Sequence, residues 1–318
     1  MLQSPGHKET CGVRKDEPER SWRGLPDPAK LTLVRRIPII LLLLTPVVAP
    51  GGKTAQANAA LTPIQAQALV ERALATELRT VQDPTHPMRY SLHKNSPRLT
   101  TTKEIVETRD GDVARLVAVF DRPLSPAEEQ QEQARLDGLL SDPGRQRHRK
   151  QSEEGDMGIV LRLLRMLPKA YLYQYAGAGP QGNVERFMFR PNSNFSPPDL
   201  ESQALTAMTG EVWIDAAQER VVRLEGHLQQ DTNYGWGVLG KLDKGGWIVI
   251  EQADAGGGQW RIARFKMRMD LRILFKTRSI DTVEEMTRYE PVPPGMDYRQ
   301  AIQMLRAGSA GTSALPGR

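Results

Sequence analysis

The chain has 318 residues, with 43 Lys and Arg against 38 Asp and Glu, and a single cysteine. Residues 1–57 hold nine of those bases and five of those acids, leaving 34 against 33 afterwards, so residues 58–318 lack the concentrated basic footprint of a nucleic-acid binder. The one cysteine, Cys11, lies in that first segment, which excludes disulfides, thiol nucleophiles and Cys-ligated zinc from the rest.

The first segment reads as a leader. Residues 37–49, IPIILLLLTPVVA, form an apolar run directly after Arg35 and Arg36, and small residues follow with Ala55-Gln56-Ala57 as an A-x-A cleavage signal. A membrane-spanning helix needs roughly 20 apolar residues; this run is shorter and contains Pro38 and Pro46. A signal peptide cleaved near Ala57 is therefore expected, giving a periplasmic or secreted product; an uncleaved membrane anchor is the alternative. Residues 1–32 are long and polar for a signal n-region and read as an over-extended start. The remaining length suits one domain over residues 58–306 with a substantial core.

Residues 62–81 predict the first helix. Thr62 caps it, Pro63 suits its first turn, and Leu69, Val70, Ala73, Leu74 and Leu78 recur at three- and four-residue spacing. Residues 100–108 and 113–121 flank a turn at Arg109-Asp110-Gly111-Asp112 and predict a hairpin. Ser125 and Glu128 have capping-box spacing for a second helix. Its polar middle and the charged run 145–156 lead us to expect an exposed excursion over 125–156, the run itself a linker. A third helix is expected at 157–167, stopping at Pro168.

Strands follow. Tyr171, Tyr173 and Tyr175 share a face; 183–190 forms a second strand, and a proline-rich loop leads to a short helix near 199–208. The pair 211–215 and 220–228 places Val212 and Ile214 on one face, with Val222, Leu224 and Leu228 on one face of its partner. After 247–252 and the turn Gly256-Gly257-Gly258 comes the strongest signal. Phe265, Met267, Met269, Leu271, Ile273 and Phe275 alternate with polar neighbours over 261–276, the pattern of a long, half-buried antiparallel strand. Residues 307–318 have the composition of a flexible tail. The expected class is α+β: a long curved antiparallel sheet, a half-barrel, with helices covering its apolar face.

The spacing Gly235-x-Gly237-x-x-Gly240 matches a dinucleotide loop, but no helix-forming stretch follows it, so a bend between strands is expected instead. His86, His93, His148 and His227 lack metal-ligand spacing and read as solvated or locally bonded. No catalytic residue, metal site or cofactor is expected. The apolar stripe from Phe265 to Phe275 supplies the candidate ligand-binding residues, because methionine and phenylalanine adapt to irregular apolar ligands.

Residues 210–228, GEVWIDAAQERVVRLEGHL, resemble a strand-turn-strand of the lipoprotein-carrier (LolA-like) superfamily of periplasmic proteins. With RPNSNF at 190–195, YGWGVLGKLDKGG at 234–246 and FKMRMDLRILFKT at 265–277, the chain resembles a group of uncharacterised exported bacterial proteins carrying that hairpin. The resemblance spans roughly residues 62–305. It implies a half-closed sheet whose cavity takes acyl chains in the carriers and serves sensing or protein contact in regulatory relatives; the long polar segment 125–156 departs from the carriers. The expected function is non-enzymatic binding of a lipid, a lipidated protein or another apolar ligand, with no integral span after leader removal. An envelope-sensing or protein-interaction module using 125–156 is the alternative, and a hydrolase without a recognisable motif the third reading.

Overall fold

Residue 61 opens the part of the chain described by the computed structural model, which covers residues 61–234, 240–273 and 276–310. The leader and its cleavage site, Gly235 and Gly237 of the glycine spacing, Phe275 of the apolar stripe, and residues 311–318 lie outside the described residues.

The class is α+β, a large curved antiparallel sheet that does not close into a barrel. Helix α1 (Pro63–Gln82) precedes strands β1 (Met88–Ser96), β2 (Leu99–Val106), β3 (Val113–Val119) and β4 (Arg122–Pro123). Helices α2 (Pro126–Ser141) and α3 (Pro143–Ala170) follow, then β5 (Tyr171–Ala178) and β6 (Val184–Pro191). A short helix α4 (Leu200–Gln203) precedes β7 (Met208–Asp215), β8 (Arg220–Leu228), β9 (Thr232–Tyr234), β10 (Gly240–Leu242) and β11 (Trp247–Asp254). The last elements are β12 (Trp260–Ile273), β13 (Lys276–Pro291) and α5 (Tyr298–Ala310). The sheet order is β4-β3-β2-β1-β13-β12-β11-β8-β7-β6-β5, with β10 also paired to β12 and β9 to β10. The glycine-spaced stretch is therefore strand-flanked, its described part forming a small hairpin in which Gly240 pairs with Tyr234.

Helix α1 starts where the sequence says. Thr62 Oγ1 accepts from the Gln65 N–H, and the Gln65 side chain accepts from the Thr62 N–H, closing a capping box. Its stripe Ala66, Leu69, Val70, Ala73 and Leu74 is buried against Tyr171, Tyr173, Phe187 and Val212. Helix α2 is capped the same way by Ser125 and Glu128. Hydrogen bonds from Arg122 and from Ser125 hold the Glu128 carboxyl down at about 2. A carboxylate depressed on folding contributes stability that is complete above its unfolded value and is lost as pH falls toward the folded one. We therefore expect amides 127–130 to lose protection, relative to their intrinsic exchange rates, as pH drops from about 4.5 toward 2, with Glu128→Gln abolishing that dependence; an unchanged pH profile in the variant would refute the assignment.

Several expectations need correction. Residues 145–156 are not a linker: α3 is one helix of 28 residues that continues through Pro168 to Ala170. Its first half buries little apolar surface and is held instead by polar side chains on the turn after β2. Gln146 Nε2 donates to the Asp110 carbonyl at 2.9 Å, Arg149 to that of Asp112 at 3.0 Å and Lys150 to that of Arg109 at 2.9 Å. Glu153 accepts from the Asp112 N–H at 2.9 Å. Composition conceals such an attachment, because it spends charged residues on backbone groups.

Nor is 125–156 wholly exposed. Glu132, Leu136 and Leu139 of α2 are buried, and the two leucines join Val106, Val113 and α5 in one cluster. Glu132 accepts from the Leu116 N–H at 2.9 Å, and Arg135 donates to the Ala114 carbonyl. These two side chains occupy backbone groups on the free edge of β3, which β4 covers only at Ala118 and Val119.

In β8, Val221 rather than Val222 joins the core, because Ile214 pairs with Val221 while Trp213 pairs with Arg223. Val222 is the extra residue of a bulge, and alternation read through a bulge inverts. Residues 307–310, assigned above to a flexible tail, belong to α5, which Ala301, Ile302 and Leu305 bury.

Candidate functional site

Directly paired residues on neighbouring strands point to the same side of a sheet. The register thus traces one row from Val212 through Leu224, Ile250 and Phe265 to Glu284 and Lys94. Val212 and Leu224 at one end of the row pack with α1 and the C-terminal half of α3. The opposite side carries the row Trp213, Arg223, Glu251, Arg264, Glu285 and His93. There the charges alternate: Arg223 pairs with Glu251, and Arg264 with both Glu251 and Glu285, the latter at 2.9 Å. The Arg223 guanidinium also lies 5.5 Å from the centre of the Trp213 ring. Cross-strand pairs of opposite charge stabilise the sheet without a hydrophobic cover, which makes the central part of this side the solvated one; toward β2 and β3 the same side carries Val106 and Val113, buried with α2 and α5.

On the apolar side the predicted stripe divides. Phe265 and Met267 are buried with Ala263, flanked by Ile248, Ile250 and Ile280. Met269 touches that cluster and a second one, formed by Ala207, Leu228 and Leu242, which Leu271 joins. Ile273 ends β12. Met269 and Leu271 remain half-buried. The stripe therefore contains a packed half and a more open half.

Helix α3 packs on this side through its C-terminal half, with Leu164 and Leu167 beside Val212 and Leu224. Its N-terminal half is fastened to the turn before β3 at one edge of the sheet, and its last residue leads directly into β5 at the other. At 1.5 Å per residue it spans about 42 Å. Glu153, Met157, Val160, Leu164 and Leu167 recur at four- and three-residue spacing and so form one helix face. Glu153 at one end of that face bonds the Asp112 N–H, while Leu164 and Leu167 at the other pack into the α1 core. At its C-terminal end that face is turned to the sheet. Between its two anchored ends Met157 and Val160 are only half-buried.

Sequence reasoning missed the polar residues on the apolar side. Glu284 sits directly opposite Phe265, its side chain 4% exposed, and Lys94 Nζ lies 2.5 Å from its Oε1. Neither residue belongs to a strand expected from the sequence, and only the register of β1 and β13 shows that they turn inward. Three histidines are locally bonded, His86 to Asp83 at 2.9 Å, His93 to Thr102 at 3.2 Å and His227 to Glu225 at 2.9 Å, and His148 is exposed. In the Trp213-Ile214-Asp215 motif, Ile214 is core, and Asp215 is a turn cap that accepts from the Ala217 and Gln218 N–H groups at 2.9 Å. The motif thus builds the hairpin and contributes nothing to the candidate site. Among the described residues, no helix is long and apolar enough to cross a membrane.

Comparison with protein-family models finds no match, and no curated protein matches. Among solved structures, a DUF1329 family protein from Desulfovibrio piger aligns over 76% of this chain and 98% of its own, at 11% identity and a TM-score of 0.28. Likeness at that level carries no argument about function, so the site is interpreted from its own residues.

Proposed function

We propose that the protein is a non-enzymatic, exported protein of the periplasm that binds a lipid, a lipidated protein or another apolar ligand between α3 and the central strands. The observation that carries this reading is the half-burial of Met157 and Val160, on the face of α3 that Leu164 and Leu167 continue into the core, together with the half-burial of Met269 and Leu271 in the stripe. A helix fastened at both ends with an unpacked apolar middle has its apolar area free for a guest, and burial of that area drives association. The solvated side, with its charges already paired, offers an apolar guest no comparable surface.

The test is displacement of a fluorescent apolar probe, N-phenyl-1-naphthylamine, from the purified chain, combined with native mass spectrometry of protein taken from its own envelope. Val160→Asp should lower probe affinity at least about tenfold, since a buried unpaired charge costs several kcal/mol, while the circular dichroism spectrum stays unchanged. Undiminished probe binding by a folded Val160→Asp protein, or an absence of probe binding by the unaltered chain, would reject the site. N-terminal sequencing of the exported protein tests the localisation, with a first residue near Asn58 expected.

A further inference from the structure

We propose that Lys94, held by Glu284, is the anchor for the carbonyl oxygen of an acyl ester or amide, where the ligand's apolar chain meets its headgroup. This rests on the apolar-ligand reading above and assigns the chemistry of the guest.

The position is unusual for an ion pair. Lys94 and Glu284 are direct partners across β1 and β13, and both turn to the apolar side beside Phe265. Glu284 is almost fully enclosed, whereas the Lys94 side chain is 27% exposed. Removing a carboxylate from water carries a cost of several kcal/mol that a pair seldom recovers beyond what two apolar residues would give. Stability alone therefore does not explain why a charge occupies this row.

An ammonium group has three N–H donors, and one of those of Lys94 reaches Glu284. The others serve a guest or water. Because Glu284 already balances the charge, the pair is net neutral. A carboxylate or phosphate bound there would leave an excess negative charge in an apolar setting, which is costly. A neutral acceptor takes the N–H without that excess, and a carbonyl is the neutral acceptor that an acyl chain carries at its polar end. Thr101, directly opposite Lys94 on β2 and buried, adds a hydroxyl at the same place. Phe265 and Met267, the packed half of the stripe on β12, lead from the pair toward the half-buried Met269 and Leu271, where the acyl chain is accommodated.

Two lipids of equal tail and headgroup isolate the carbonyl: 1-monododecanoylglycerol, an ester, and 1-O-dodecylglycerol, its ether. Each is used to displace N-phenyl-1-naphthylamine from the full chain. The unaltered protein should bind the ester about tenfold more tightly, the effect of one hydrogen bond to a charged donor. Lys94→Met should remove that preference and leave the affinity for the ether and the probe unchanged. Since Lys94→Met strands Glu284, the double variant Lys94→Met/Glu284→Gln, which removes both charges, is measured beside it and should show the same loss. Equal ester and ether affinities in the unaltered protein, or a preference retained by a folded variant, overturn the proposal while leaving the apolar site intact. Failure of the probe and both lipids to bind overturns the apolar-ligand reading itself, and this inference with it.

Discussion

Replacing Glu77 by alanine is expected to lower the unfolding free energy by about 3–5 kcal/mol, the usual effect of stranding one member of a buried ion pair. Glu77 lies on α1 and meets β8 through its carboxylate. Its carboxylate accepts from Arg220 at 3.0 Å and from the Val221 N–H at 2.9 Å. Arg220 also donates to Thr80 at 2.6 Å, and its guanidinium lies 5.9 Å from the centre of the Trp260 ring. Alanine leaves the buried guanidinium without its countercharge, still bonded to Thr80, and the Val221 N–H without its acceptor. For a domain of this size the melting temperature should fall by roughly 10 °C, read by calorimetry. The double variant Glu77→Leu/Arg220→Met removes the stranded charge and should recover much of the loss; a double variant as unstable as Glu77→Ala would show that the pair was not the cause. Burial pushes the Glu77 carboxyl up, against the opposing pull of Arg220. A raised carboxylate holds its proton longer in the folded state, so this contribution to stability declines as pH rises from the ordinary carboxylate range through the folded value. Glu77→Gln should flatten that slope.

The second large effect is expected at Gly210. Gly210 and Gly226 face each other across β7 and β8 on the apolar side. A Cβ at position 210 would stand 1.8 Å from the Glu225 carbonyl oxygen and 2.8 Å from Cζ of Phe189. At 226 it would meet the Met208 Sδ at 2.5 Å. Only the second obstacle is the end of a flexible side chain, and methionine yields readily. Gly210→Ala must move backbone and should cost about 3 kcal/mol, the upper end of overpacking, whereas Gly226→Ala should cost about 1 kcal/mol. Denaturant unfolding of the two variants side by side decides the matter; equal losses would mean that both sites relax alike.

What the sequence discloses follows from what holds each element in place. Helix α1 and strand β12 are held by burial of their own side chains, so the periods of 3.6 and 2 that burial demands are visible in Leu69–Leu74 and Phe265–Leu271. Strand β13 sits at the middle of the sheet, yet KTRSIDTVEEMTRYEP reads as polar. Its outward residues join the charge ladder through Glu285, and its inward row includes Glu284 and Thr282, so alternation of polarity is lost although alternation of side is kept. Strand β1 is obscured likewise by Lys94. The first half of α3 is held through bonds to the backbone of 109–112, a tertiary partner that no local pattern discloses. The open part of the candidate site was legible because apolar stripes are; its polar anchor was not, because the inward direction of Lys94 and Glu284 depends on register with strands far away in sequence.

Helix α3 also fixes a length. A sheet with two free edges has no intrinsic arc, but a rigid rod joined to both edges sets the distance between them, and hence how tightly the strands curl. Adding or deleting one residue changes that rod by 1.5 Å and rotates everything beyond the change by about 100°. Gln146, Arg149 and Glu153 would then no longer address the turn before β3 while Leu164 and Leu167 addressed the core. Unlike a surface loop, which absorbs insertions at little entropic cost, this charged and outwardly featureless segment acts as a gauge whose residue count is part of the fold.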